Sequence, residues 1–495
     1  MKKRYNIFTL SLCSLLLLLF ASGCTEDEMD RINTNTSTPP VSMVDARFQL
    51  SDAIMSMAFT TYGGSYAWHV ASYTEQIFGD GGAQMMFAEL RDPIITAAPT
   101  TFNNEWNNTY RNLLNIKIII DKCENGINQG QLDLMGMGRV LKVLGFQALT
   151  ELHGDIPFND ALNEEIRNPR LEKQEDIYAS LLNEIDVAIE NLSEAVENNM
   201  AYAGKQDILY EGDTKKWLAL AYAVKGRLLL DGSAKIPSNV SKALEYAEKA
   251  IENGFDGAVL DIFNGVEADN SWAAYFRSRH YSGACATVAL LMQERSDPRL
   301  PIYASDVFET GVLYAPAGDA TLSATIDNVG TPAWMTNESA SIKLLSKASI
   351  HFIIAECKRR LSLDASSDFE AGVRESMKDY SVSSGVAIAD ADIASYISQF
   401  GTPTLEEIMV QKYISQARDC QIETYNDLRR CMANGEEFIK LQNPNNINNG
   451  QNRWPYSLPY GNSDVVSNPF IASVFGTGNN AGYYIFERPL WLFSN

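Results

Sequence analysis

The sequence is poor in the residues that most often carry chemistry. Its 495 residues include four histidines, His69, His153, His280 and His351, which share no metal-ligand spacing. No H-E-x-x-H occurs, so the usual helical zinc pair is excluded. The seven cysteines contain no C-x-x-C, which removes zinc ribbons and dithiol redox motifs. Beyond Cys13 and Cys24 near the amino terminus, five remain: Cys123, Cys285, Cys357, Cys420 and Cys431. An odd number gives no disulfide framework, although a Cys420–Cys431 bridge stays open. There is no G-x-S-x-G. Gly136-Met137-Gly138 lacks both the preceding strand and the third glycine of a dinucleotide fingerprint. Positive charge is also scarce: 40 Lys and Arg stand against 62 Asp and Glu. That balance excludes a basic face for nucleic acid. Carboxylates are plentiful, and two in a cleft are what a glycosidase needs, but no motif places such a pair. The expectation is a protein with no cofactor and no metal, with a glycosidase left open on these residues alone.

Long apolar runs are scarce too. One, Leu10 to Phe20, follows Lys2, Lys3 and Arg4 and precedes Ala21-Ser22-Gly23-Cys24. It falls short of the roughly 20 residues of a membrane span. A charged start, a short apolar core and small residues before a cut make a secretory signal, residues 1–23. The cysteine after Ala-Ser-Gly resembles the lipobox of bacterial lipoproteins, with Ala21 where leucine is usual. That resemblance implies acylation of Cys24, and two or more chains anchor a protein stably. Removal of 1–23 takes three cations and no acids, leaving a formal charge of −25. Residues 24–42 are polar, with Asn-Thr repeats and Pro39-Pro40, and read as a flexible tether. The acidic run after Cys24 resembles the surface-export signal of Bacteroidetes lipoproteins.

From residue 43 to 495 the dominant period is helical. Phe102, Trp106, Tyr110, Leu113, Ile116 and Ile120 fall at steps of three and four, as do Leu134, Met137, Leu141, Leu144, Ala148 and Leu152. Tyr178, Leu181, Ile185, Ile189 and Leu192 make a third stripe. Asp213 can cap a helix carrying Trp217, Leu220, Val224 and Leu228 and stopped at Gly232. The next helix starts at Ser238 or Asn239 and bears Ala243, Ala247 and Ala250, small enough for a bulky neighbour to approach. A Trp-bearing helix before an alanine-faced one resembles a tetratricopeptide-like pair, without the 34-residue spacing of the consensus. A second helical block spans 341–432. Ser367-x-x-Glu370 and Thr404-x-x-Glu407 are its expected capping boxes.

Between the blocks, about 255–340, the helical period is lost to Gly, Pro, Asp and aromatic residues. A long irregular insert of this kind is more often functional than idle. The tail 435–495 is also loop-rich, but too aromatic to be disordered. The fold expected is mainly α: tetratricopeptide-like helical pairs forming a scaffold, with a loop-rich region on one side.

Six segments in order resemble the SusD/RagB family of outer-membrane nutrient-binding lipoproteins. They are Glu151-Leu152-His153-Gly154-Asp155-Ile156-Pro157-Phe158, Asp213-Thr214-Lys215-Lys216-Trp217, Ser296-Asp297-Pro298-Arg299-Leu300, Phe352-Ile353-Ile354-Ala355-Glu356, Tyr425-Asn426-Asp427-Leu428-Arg429-Arg430, and Arg453-Trp454-Pro455-Tyr456 with Asn468-Pro469. Ser349 departs from the acidic residue that relatives often carry there. The resemblance implies a non-catalytic binding protein, lipid-anchored at the outer membrane and exposed on the cell surface. It implies a lid-like partnership with a SusC-like TonB-dependent transporter barrel. The ligand implied is an oligosaccharide, or in some members a peptide. A mainly structural lid is the remaining alternative.

An open sugar site works by stacking aromatic faces on the C–H face of a pyranose, with amides and carboxylates on the hydroxyls. Trp272 and Tyr275, with Asn270 as the amide, fit that need best, and Trp334 follows. Trp106 and Trp217 lie on helical stripes and read as core. Trp454, beside proline in a family segment, reads as structural, and Trp68 is undecided.

Overall fold

The computed structural model describes residues 40–79, 84–280, 282–307, 309–318, 329–443 and 453–494. The signal segment 1–23, Cys24 and the tether as far as residue 39 lie outside the described residues. The chain divides into a unit ending at Asp45 and a unit from Ala46. In the first, Val41–Met43 forms a single 3-10 turn.

The second unit opens with α1 (Arg47–Ser56) and α2 (Ser65–Tyr73). Then come the three long helices that the stripes predict: α3 (Asn103–Asn125), α4 (Leu132–His153) and α5 (Gln174–Glu197). Helix α4 is buried almost all round, as a helix apolar on every side must be, and it packs between α3 and α5. Its glycines serve that packing: a Cβ on Gly136 would stand 2.5 Å from Leu192 Cγ. Helix α6 (Thr214–Asp231) starts where Asp213 Oδ1 accepts from the Lys215 and Lys216 amides, and it ends at Gly232. Helix α7 (Asn239–Glu252) presents buried Ala243, Ala247 and Ala250 to α6. The approach is close enough that a Cβ on Gly226 would come within 2.9 Å of the Ala247 nitrogen.

The insert is more ordered than its composition suggests. It holds α8 (Ser271–Arg279) and α9 (Ala286–Glu294), and contributes one strand to each of two short antiparallel ladders. In one, β1 (Phe78–Gly79) pairs with β3 (Ser282–Gly283); in the other, β2 (Ala258–Leu260) pairs with β4 (Ile342–Leu345).

The second block contains α10 (Lys347–Arg360), α11 (Ser366–Ser384), α12 (Asp390–Ser398), α13 (Leu405–Arg418) and α14 (Gln421–Ala433). Helix α7 packs on α10, so the helical stack continues across the insert. The Thr404–Glu407 capping box forms as expected. The Ser367–Glu370 box does not. Helix α11 begins two residues earlier than that box requires, with Ala365 at the N-cap position, and the Asp364 carboxylate accepts from the Ser366 amide and hydroxyl instead.

Several of the family-like segments form buried polar joints. Glu356, fully buried on α10, accepts from both Arg430 guanidinium nitrogens at 2.7 and 3.0 Å and from Lys412 at 3.1 Å. Burial alone would raise its pKa, but Arg430, Lys412 and Arg360 hold it well below the usual carboxylate range. Arg299 is bidentate to Asp297 and donates to Ser376 of α11 and Gln411 of α13. Removing one partner of such a buried group costs about 3–5 kcal/mol, because the other charge is left uncompensated. Trp106 and Trp217 are fully buried and Trp454 is 6% exposed. His153, the last residue of α4, sits between Tyr66 Oη at 3.0 Å and the Leu458 carbonyl at 3.2 Å, and burial pushes its pKa down to about 3. All five cysteines in the described residues are buried, and Cys285, Cys357, Cys420 and Cys431 are free thiols, so no Cys420–Cys431 bridge forms.

Candidate ligand-binding site

Asn270 starts α8. Its Oδ1 accepts from the Ala273 amide at 2.9 Å, while its own amide nitrogen donates to the Asn337 carbonyl. Ser271 Oγ donates to the Gly63 carbonyl, tying α8 to the turn that precedes α2. These two anchors fix where the α8 side chains meet α2, some two hundred residues away in sequence. Trp68 of α2 is the meeting point. Its ring stacks on Tyr275 with centroids 4.1 Å apart and planes 29° apart, and it meets Trp272 edge-on at 6.1 Å.

Of the four residues the sequence singles out, Tyr275 is half-buried and the other three are buried. Trp272 is 6% exposed and packs behind the Trp68–Tyr275 stack. Asn270 is 2% exposed with both ends of its amide engaged by backbone, so its work is to cap α8. Trp334 departs furthest from the expectation of a displayed ring. It is 1% exposed, edge-on to Tyr380 at 5.2 Å and near Tyr303 at 6.2 Å, with the Arg418 guanidinium 5.8 Å from its ring. The physical reason is long-range: α11 and α13 close over a segment that reads as loop in isolation.

Trp68 is the residue that sequence reasoning leaves undecided. It is half-buried, and its Nε1 has no hydrogen-bond acceptor among the described residues. The rim beside the stack is polar. Arg277, exposed on α8, donates to both Asp269 and Glu338, linking the loop before α8 to the loop after Trp334. The Asn264 side-chain Oδ1 accepts from the Val266 and Glu267 amides, which folds that loop on itself. The arrangement is a stacked, half-buried aromatic pair on α2 and α8, with an exposed Arg277 ion-pair network on α8; stacking on a pyranose and hydroxyl recognition call for groups of these types. It does not assemble a nucleophile and base, and among the described residues no group of three or more His, Cys, Asp or Glu could hold a metal.

Recesses lie elsewhere among the described residues. A polar groove of about 520 Å³ runs along α3, α4 and α5, where Lys117, Arg139 and Lys142 are each paired with a carboxylate. A mainly apolar cavity of about 220 Å³ lies against α13 and α14.

Stacked helical pairs joined across an irregular insert define a helical scaffold. The comparisons supply the family. The model of the SusD-like family, described as starch-binding and associating with the outer membrane, matches residues 93–460. The chain belongs to that family. A SusD/RagB family protein from Bacteroides thetaiotaomicron is 27% identical and superposes with a TM-score of 0.80, over 91% of this chain and 99% of that one. A chitin-binding protein is 20% identical, with a TM-score of 0.71 over 91% and 100%. A chitin-binding SusD homolog from Flavobacterium johnsoniae is 18% identical, with a TM-score of 0.70 over 91% and 99%. No curated protein matches the chain. Among the described residues, no helix is long and apolar enough to cross a membrane.

Proposed function

We propose that this protein is a cell-surface lipoprotein that captures an oligosaccharide and passes it to a SusC-like TonB-dependent transporter barrel, without catalysing any reaction. The observation that carries the ligand reading is the stacked Trp68–Tyr275 pair beside a polar rim. In this reading the pair forms the sugar platform, Trp272 supports it from behind, Asn270 fixes the start of α8, and Trp334 holds the underlying core. The family description and the chitin-binding names of two structural relatives support a carbohydrate ligand. The lipobox-like Ala21-Ser22-Gly23-Cys24 supports an acylated anchor on Cys24.

The test is a screen of the purified mature chain against neutral oligosaccharides and against short peptides, with product analysis of every glycan that binds. Saturable binding of at least one glycan class with no cleavage is expected. Binding of peptides alone, or release of shorter sugars, would overturn the proposal.

A further inference from the structure

We propose that Arg429 on α14 is the centre of an anion-binding site, separate from the aromatic platform, for a small monocarboxylate with an apolar body. Buried charges are paired as a rule, since leaving water uncompensated is costly. Five other arginines are buried among the described residues, and each lies against a carboxylate: Arg91 with Glu75, Arg227 with Glu423, Arg299 with Asp297, Arg418 with Asp419 and Arg430 with Glu356. Arg429 is 2% exposed, and no carboxylate of the described residues lies within ion-pair distance of it. Neutral groups hold it instead. Its Nε donates to the Tyr425 carbonyl at 3.3 Å, Nη1 to the Tyr456 carbonyl at 2.9 Å and Nη2 to Asn426 Oδ1 at 2.6 Å. A guanidinium has five N–H groups, so two are left without an acceptor among the described residues. Burial pushes the Arg429 pKa down to about 10, with Tyr425, Glu151 and Asp231 opposing only in part. Burial acts on Arg430 too, but Glu356 and Asp427 hold it well above the ordinary arginine range. The joint made by the Tyr425–Arg430 segment thus accounts for Arg430 and leaves Arg429 without a counter-ion.

Arg429 lines a recess of about 370 Å³ between α14 and the tail. An engineered cavity of about 150 Å³ takes up benzene, so one substituted ring fits here. Tyr456, whose carbonyl takes the Nη1 hydrogen bond, shares the wall, which puts that end of the guanidinium fork beside the recess. The Tyr425 and Phe493 rings lie 3.8 and 4.1 Å from the guanidinium carbon, so an anion approaches along the edge of the fork. That edge is the one a carboxylate meets with two parallel hydrogen bonds. Tyr456 is half-buried, and its hydroxyl has no partner among the described residues, which supplies a third donor. Ser494 Oγ is committed to the Trp491 carbonyl. Met432, Pro489 and Phe493 complete the walls and suit a hydrocarbon body. The polar groups are thus donors around a single positive charge, which matches a monoanion. Glu151 and Asp231, near enough to act on Arg429, disfavour a second negative charge.

Calorimetric titration of the full mature chain with benzoate tests this, with benzamide as the neutral control and phenyl phosphate as the dianionic one. One saturable site is expected for benzoate, with affinity at least tenfold weaker for each control. Arg429→Lys keeps the charge and loses the fork, and is expected to weaken benzoate at least tenfold. Tyr456→Phe removes the free hydroxyl but keeps the carbonyl that holds Arg429, and is expected to weaken it about fivefold. Thermal melting checks that both variants fold. If Arg429→Lys does not fold, Tyr456→Phe and the benzamide control still decide. Tyr275→Ala is expected to leave benzoate binding unchanged. Absence of saturable binding to the wild type, a control that binds as tightly as benzoate, or a folded Tyr456→Phe that binds as tightly as wild type would overturn the proposal. None of these results bears on oligosaccharide capture at Trp68 and Tyr275.

Discussion

The buried junction of α4, α6 and α14 makes stability depend on pH in a direction that can be worked out. Arg227 on α6 faces three carboxylates: Glu423, in direct contact, Glu151 at 3.6 Å and Asp231 at 3.7 Å. Arg227 is 1% exposed, Glu151 0%, Asp231 3% and Glu423 5%. Gln147 and Asn426 each donate to Glu151, at 2.8 and 2.7 Å, but they bring no charge. Burial raises the Glu423 pKa, Glu151 and Asp427 raise it further, and Arg227 and Lys412 oppose them; the result is about 8. Asp231 is likewise pushed well above its ordinary range by burial and by Glu151 and Glu423. The cluster therefore holds a proton near neutrality that the unfolded chain does not.

A raised folded-state pKa gives stability that is fully present below the unfolded value, near 4.5, and is lost as pH rises through about 8. One differential proton gives a slope of about 1.4 kcal/mol per pH unit at most. Between pH 6 and 7.5 that amounts to roughly 2 kcal/mol. His69 and His153, held neutral by burial with pKa values of about 4 and 3, give the opposite slope at lower pH. A comparison with Glu423→Gln cancels their contribution, because the variant keeps both histidines. Urea unfolding of the two proteins from pH 5.5 to 8 is the assay. Wild type is expected to lose stability relative to Glu423→Gln as pH rises. Parallel curves across that range would refute the reasoning.

Trp334→Ala is expected to cost about 3–5 kcal/mol by leaving a cavity beside Tyr380, measured by chemical unfolding. Trp334→Phe, which keeps most of the volume, should fold and retain ligand affinity within about twofold, since no ring face is open to a sugar; a tenfold loss would make Trp334 a ligand contact. Gly226→Val is expected to force α6 away from α7, where even a Cβ stands 2.9 Å from a backbone nitrogen, at a cost of about 1–3 kcal/mol seen as a lower melting temperature. An unchanged melting temperature would show that the pair relaxes freely.

Much of this fold is legible because its periodicities are local. The stripe through Trp106 and Ile120 and the Asp213 cap ahead of Trp217 each concern residues within a turn or two, and α3 and α6 form where those signals place them. The joining of α7 to α10 across the insert has no such signature, since the faces that meet are far apart in sequence. Helix α8 escapes a periodic reading because Ser271, Arg277, Ser278 and Arg279 interrupt its apolar face within nine residues. Its start is nevertheless visible in hindsight as Asn270, a good cap residue, before a Trp-x-x-Tyr pair. Trp334 shows the opposite limit. Proline, threonine and glutamate around it resemble an exposed turn, and only the arrival of Tyr380 and Arg418 buries the ring. Trp68 carried a functional hint only through its pairing with Tyr275, a contact that no local pattern encodes.

The most direct measurement is calorimetric titration of an oligosaccharide identified in the glycan screen into wild type and into the single variants Trp68→Ala and Tyr275→Ala. Loss of the stacked pair should weaken binding at least tenfold in each variant, or about 1.4 kcal/mol, with circular dichroism unchanged. Folded variants that bind the sugar as tightly as wild type would contradict the account and move the platform elsewhere on the molecule.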